Sequence, residues 1–141
     1  MRLATLKMEG SEKSAIATRH GLIPLAVVNR KFGRTWSTEA LELITSGGLK
    51  DLTAWYIAEG RQALETMTDD VVSTNALRPA PLYRRPRKIW GIGLNYADHA
   101  ADLSEKTPTG IPGSFMKPDT TLIGPGAAIR IPELSQKTTA E

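Results

Sequence analysis

An α+β fold is predicted for this chain of 141 residues, and three observations predict it. Apolar and polar residues alternate near the start, two later stretches repeat apolar residues at helical spacing, and a proline-rich break precedes a new strand-like run. The expected N-terminal part is a small domain of antiparallel strands plus two helices, over residues 1–78. A connector rich in proline and arginine follows at 79–88, and a second unit begins at 89 and runs to 141.

The elements follow in order. Residues 2–8 set Leu3 and Thr5 against Ala4 and Leu6, which reads as a strand; Glu9-Gly10-Ser11-Glu12 reads as a turn. Residues 14–18 and 22–28 read as two more strands, completing a meander, with His20 beside Gly21 as a turn residue rather than a ligand. Ser37 is placed to cap a short helix to about Ser46, stopped by Gly47-Gly48, and Asp51 to cap a longer one to about Thr68. In the longer helix Leu52, Trp55, Tyr56, Ala63, Leu64 and Met67 share one side, the pattern of a core face rather than of an aromatic ligand platform. Pro79, Pro81 and Pro86 then forbid a continuous helix and give an extended connector. Residues 90–93 and 129–131 read as strands.

Composition narrows the function classes. With 40% hydrophobic and 23% charged residues, the chain can build a core. No apolar run approaches the roughly 18 residues of a membrane span, and the start lacks the apolar stretch of a signal peptide, so a cytoplasmic protein without a membrane partner is expected. Having no cysteine, the chain has no disulfide, thiolate nucleophile or cysteine-based zinc site, and two histidines argue against a multi-histidine metal centre. The net charge of +3 owes much to Arg84-Arg85-Pro86-Arg87-Lys88. That run reads as a solvated connector, or as a place where one arginine meets a carboxylate substrate; it lacks the interleaved aromatics of a nucleic-acid surface.

The candidate chemistry lies in Gly91-Ile92-Gly93-Leu94-Asn95-Tyr96-Ala97-Asp98-His99-Ala100-Ala101-Asp102. If the segment after Asn95 is helical, His99 and Asp102 share a face at i and i+3, and a carboxylate against an imidazole makes a general base. The same spacing also describes a plain solvated helix face. Gly-x-Gly after a strand suggests a dinucleotide site, but Tyr96 stands where a small residue is needed and no crossover helix follows. The glycines are expected to let the chain turn sharply after its strand.

Residues 88–99, together with Phe115-Met116-Lys117-Pro118, Leu122-Ile123-Gly124-Pro125-Gly126 and Ile129-Arg130-Ile131-Pro132, resemble the fumarylacetoacetate hydrolase family. The resemblance is strong over about 86–141 and looser at residues 1–6. It implies that residues 89–141 begin a mixed, mostly β catalytic roll, built around Mg2+ or Mn2+ held by three carboxylates. His99 then matches the general base, and Asp102 stands where its dyad partner is usually a glutamate. Asn95, Tyr96 and Lys117 fall among substrate-binding positions, although Lys117 also reads as a strand-end lysine facing water. Glu141 falls at the first metal ligand. The implied reactions are hydrolysis, decarboxylation or tautomerisation of 2-oxo acids, acylpyruvates or related diketo compounds, in a homodimer. Residues 95–113, with a glycine- and proline-rich far end, suit a lid over the substrate.

Because the later ligands of that pattern are absent, the sequence reads as cut off within its catalytic domain, inactive and poorly stable by itself. Two other classes stay open: a non-catalytic remnant that pairs with another subunit through exposed strands, and a small basic protein binding anionic partners at residues 84–88.

Overall fold

A computed structural model describes residues 1–136, with Thr74 and Asp102 described through their backbone alone. The fold is α+β, with two antiparallel sheets. β1 (Leu3–Met8) and β2 (Ser11–Ala17) form a hairpin whose loop is only Glu9 and Gly10, at φ 48° and 77°. Two left-handed residues in succession match the right-handed twist of the flanking strands, so the turn sets the register Met8↔Ser11 through Leu3↔Ile16. β3 (Leu22–Pro24) pairs with β2 after a bend at Arg19 and His20. There the Thr18 hydroxyl donates to the Gly21 carbonyl and accepts from the His20 amide, so His20 is the turn residue expected.

The expected strand over 22–28 stops at Pro24, and residues 25–28 open a helix instead, α1 (Leu25–Phe32). Leu25, Val28 and Phe32 lie on one face at helical spacing; the first two are fully buried and Phe32 packs against them. Packing here outweighs the strand preference of Val27 and Val28. Gly33 ends the helix in the left-handed conformation, φ 61°.

The two later helices exist where expected, with different ends. α2 (Ala40–Thr45) starts after Ser37, whose hydroxyl accepts from the Glu39 amide and donates to the Glu42 carboxylate at 2.7 Å, bracing the entry turn. α3 (Gly48–Trp55) starts ahead of Asp51, behind a left-handed Gly47. Asp51 is therefore not the cap; it accepts the indole N–H of Trp36 at 2.7 Å. The helix passes through a π-helical turn, Tyr56–Gly60, into α4 (Arg61–Glu65), and ends before Thr68. At Gly60 any Cβ would stand 2.5 Å from the Trp55 ring, so glycine lets that indole lie across the helix. Trp55 meets Phe32 and Trp36 at centroid distances of 5.0 and 5.2 Å, at the centre of a core that also holds Ile16, Ile23, Leu43, Leu52, Leu64 and Met67.

The chain then returns to the sheet. β4 (Pro79–Ala80) pairs with the free edge of β1, giving the order β3-β2-β1-β4. An edge is where proline, lacking an N–H, is tolerated. The Thr5 hydroxyl donates to the Leu82 carbonyl at 2.7 Å, and the Arg84 guanidinium grips both oxygens of Glu12 at 2.7 to 3.1 Å. Arg84, Arg85, Arg87 and Lys88 are exposed, as a solvated connector requires, and within that run Arg84 is also held by a carboxylate of the N-terminal sheet.

Candidate active site

The second sheet has two strands, β5 (Ile89–Gly93) and β6 (Gly113–Lys117), paired from Ile89↔Lys117 to Gly93↔Gly113. They are antiparallel, whereas a dinucleotide crossover joins parallel strands. Gly91 leaves room for the Phe115 ring directly opposite it. Neither Gly91 nor Gly93 has a positive φ, so the expected role of these glycines in the turn is not what the backbone shows. Leu94 makes the turn, at φ 55°. A bulky side chain in the left-handed region is uncommon and costs energy, and it stands here at the entrance to the candidate site.

Asn95 and Tyr96 follow, both exposed, and α5 (Ala97–Asp102) begins with Tyr96 as its N-cap. Ala100 is fully buried and ties the helix down. At the far end the Glu105 amide donates to the Ala100 carbonyl at 2.8 Å and the Ser104 amide to that of Ala101 at 2.9 Å, with Ser104 left-handed at φ 58°. This is a Schellman motif closed by serine rather than by glycine.

His99 and Asp102 therefore lie on one short helix at i and i+3, as the dyad requires, and the Asp102 side chain lies outside what the structure describes. The imidazole of His99 is half-buried and stacks on the Tyr96 ring, with centroids 5.2 Å apart and planes inclined by 30°. Lys117 is at the opposite end of the β5–β6 ribbon from the turn that leads into α5, about 14 Å along the strand at roughly 3.4 Å per residue. Its ammonium sits over the Phe115 ring, 5.4 Å from the centroid. The structure thus brings Tyr96 and His99 together and leaves Lys117 apart. Glu141 lies outside the described residues.

The expected strand at 129–131 is irregular, with Ile129 and Ile131 exposed. The β5–β6 ribbon offers it no third strand among the described residues. A short segment without hydrogen-bonding neighbours does not hold strand geometry.

The sequence reading missed the stack of Tyr96 on His99 and the left-handed Leu94. The first had a signal, an aromatic three residues before the histidine; the second had none, since leucine does not mark such a turn.

Residues 88–141 match the family described as fumarylacetoacetate (FAA) hydrolase, C-terminal. This segment belongs to the fumarylacetoacetate hydrolase family. Caffeoylpyruvate hydrolase of Neonothopanus nambi is 34% identical over 108 residues, which are 76% of this chain and 32% of that protein. Mitochondrial oxaloacetate tautomerase fahd2 of Xenopus laevis is 32% identical over 114 residues, covering 69% of this chain and 35% of its own. An uncharacterised protein of Archaeoglobus fulgidus is 45% identical over 56 residues, 40% of this chain and 22% of that one. The matches to the first two extend well beyond the length of the 88–141 segment, so part of the N-terminal region is shared with them. The chain spans between about a fifth and a third of the length of these relatives. No solved structure matches the chain.

Proposed function

We propose that this chain serves an enzyme acting on 2-oxo acids or acylpyruvates, with His99 as the general base that activates water for C–C cleavage or shuttles a proton in decarboxylation or tautomerisation. The observation that carries this reading is the position of His99, on a helix reached by a tight turn from β5 inside the family-matched segment. Asp102 is its proposed dyad partner, fixing the tautomer of the imidazole and stabilising its protonated form. Asn95, Tyr96 and Lys117 are the proposed substrate contacts; Lys117 would need a substrate long enough to reach it, or a change in the ribbon. The relatives' named substrates, oxaloacetate and caffeoylpyruvate, are both 2-oxo acids bearing a carboxylate, and they define the class to test.

The divalent ion that family membership implies, Mg2+ or Mn2+, does not fit the described residues by themselves. No three histidine, cysteine, aspartate or glutamate side chains converge among them, while a hard cation of this kind takes about six oxygen ligands. Glu141 remains a proposed ligand, and residues 1–141 alone are expected to be inactive. A cytoplasmic homodimer is proposed for the whole protein. Among the described residues no helix is long and apolar enough to cross a membrane.

The test is to assay the full gene product for keto–enol interconversion of oxaloacetate and for cleavage of acylpyruvates. Turnover of at least one is expected; failure with the whole class would remove the reading.

A further inference from the structure

We propose that Tyr96 is a positioning residue for His99, acting through the face of its ring, in addition to any contact its hydroxyl makes with substrate. This rests on the reading of His99 as the base. The rings lie at centroids 5.2 Å apart and 30° from parallel, close enough to a stacked arrangement for one aromatic face to limit how the other turns. The pairing is built by the helix start. Tyr96 is the N-cap and His99 lies three residues on, so their side chains rise on the same side of the first turn. Both ends of that turn are fixed, because Leu94 holds the entry in a left-handed conformation and Ala100, next to His99, is buried.

The consequence is chemical. An imidazole acts as a base along its edge, where both nitrogens lie, and a ring stacked against its face does not cover that edge while it restricts rotation about the Cβ–Cγ bond. A base must lie within hydrogen-bond reach of the proton it takes, and small misplacements are costly. Tyr96 itself is 55% exposed, so its ring is not there to fill the core. That exposure also makes the position open to substitution without unfolding.

Two variants separate the ring from the hydroxyl: Tyr96→Phe keeps the face and Tyr96→Leu removes it. The first readout is the imidazole proton spectrum of the 141-residue chain, where two histidines give two sets of signals and His20→Asn assigns them. The His99 signal is expected upfield in the wild type and in Tyr96→Phe, and displaced in Tyr96→Leu. An unchanged His99 signal in Tyr96→Leu would overturn the proposal. The second readout is kinetic, on the full gene product. Tyr96→Leu should lower kcat by about tenfold or more, as misorientation of a base does, while Tyr96→Phe, which keeps the ring face, recovers kcat and shows the loss of any hydroxyl contact with substrate in KM. A rise in KM alone, equal in both variants, would make Tyr96 a substrate contact only and overturn the positioning role. Full activity in a His99→Gln variant would defeat the functional reading instead, and the proton spectrum would still decide the stack.

Discussion

The N-terminal region and the family-matched segment divide fold and chemistry unevenly between them. From Ile16 to Met67 the chain closes a core of ten buried residues centred on Trp55, all within the first half. From residue 88 onward Ala100 alone is buried among the described residues, while Trp90, Ile92, Tyr96, Ile111, Met116, Ile123, Ile129, Ile131 and Leu134 are exposed. The first region stores its stability in apolar burial, whereas the second carries the candidate base on a two-stranded ribbon and a six-residue helix shaped by turns and caps. A two-stranded ribbon is marginal alone, so the candidate site depends on local geometry more than on packing.

Paired substitutions sharpen this contrast. Leu52→Ala, in the core, should destabilise the chain by about 2–5 kcal/mol, whereas Ile92→Ala, on the exposed face of β5, should stay within about 0.5 kcal/mol. Denaturant unfolding followed by tryptophan fluorescence measures both, and equal losses would erase the distinction. Gly60→Ala comes next. Its new methyl meets the Trp55 ring, which is hemmed in by Phe32 and Trp36, so a loss of about 1–3 kcal/mol is expected in the same assay. Gly91→Ala also meets a ring, but Phe115 is only half-buried and can swing outward, so its loss should be the smaller of the two.

The smallest effect is at the Glu12–Arg84 ion pair, which ties the N-terminal sheet to the connector. The hydrogen bonds from Arg84 hold the Glu12 carboxyl below its ordinary value of 4.5, against a smaller opposing effect of burial. A carboxyl lowered in the folded state adds stability that is present in full above the ordinary value and is lost as pH falls through the folded one. Wild type should therefore exceed Glu12→Gln slightly in stability near pH 7 and converge with it in acid, with salt shrinking the gap. Melting temperatures measured across pH 2–7 check this, and a gap that widened in acid would contradict it.

These contrasts also explain which features were legible in the sequence. The β1–β2 hairpin was readable because alternation and the Glu9-Gly10 turn are local signals, and Trp55 was readable as core from its helical spacing. The strand expected at 25–28 was misread because Val27 and Val28 favour strand locally, while the burial of Leu25 and Val28 that decides for helix comes from distant residues. The pairing of Pro79–Ala80 with β1 spans more than seventy residues and leaves no local trace. In the candidate site, the spacing of His99 and Asp102 was legible, while the helix that puts them on one face was only a condition of that reading, which α5 meets. The left-handed Leu94 was not, because a strained turn breaks the local rules by which turns are recognised.

The proposed role of His99, reached by the turn after β5, is that of the base in a 2-oxo-acid enzyme. The most direct test is to compare the full gene product with its His99→Gln variant on the substrate that the wild type turns over best. A fall in kcat of about 10²- to 10⁴-fold, with unchanged folding by circular dichroism, is the expected result. Activity retained within a few-fold would contradict the account.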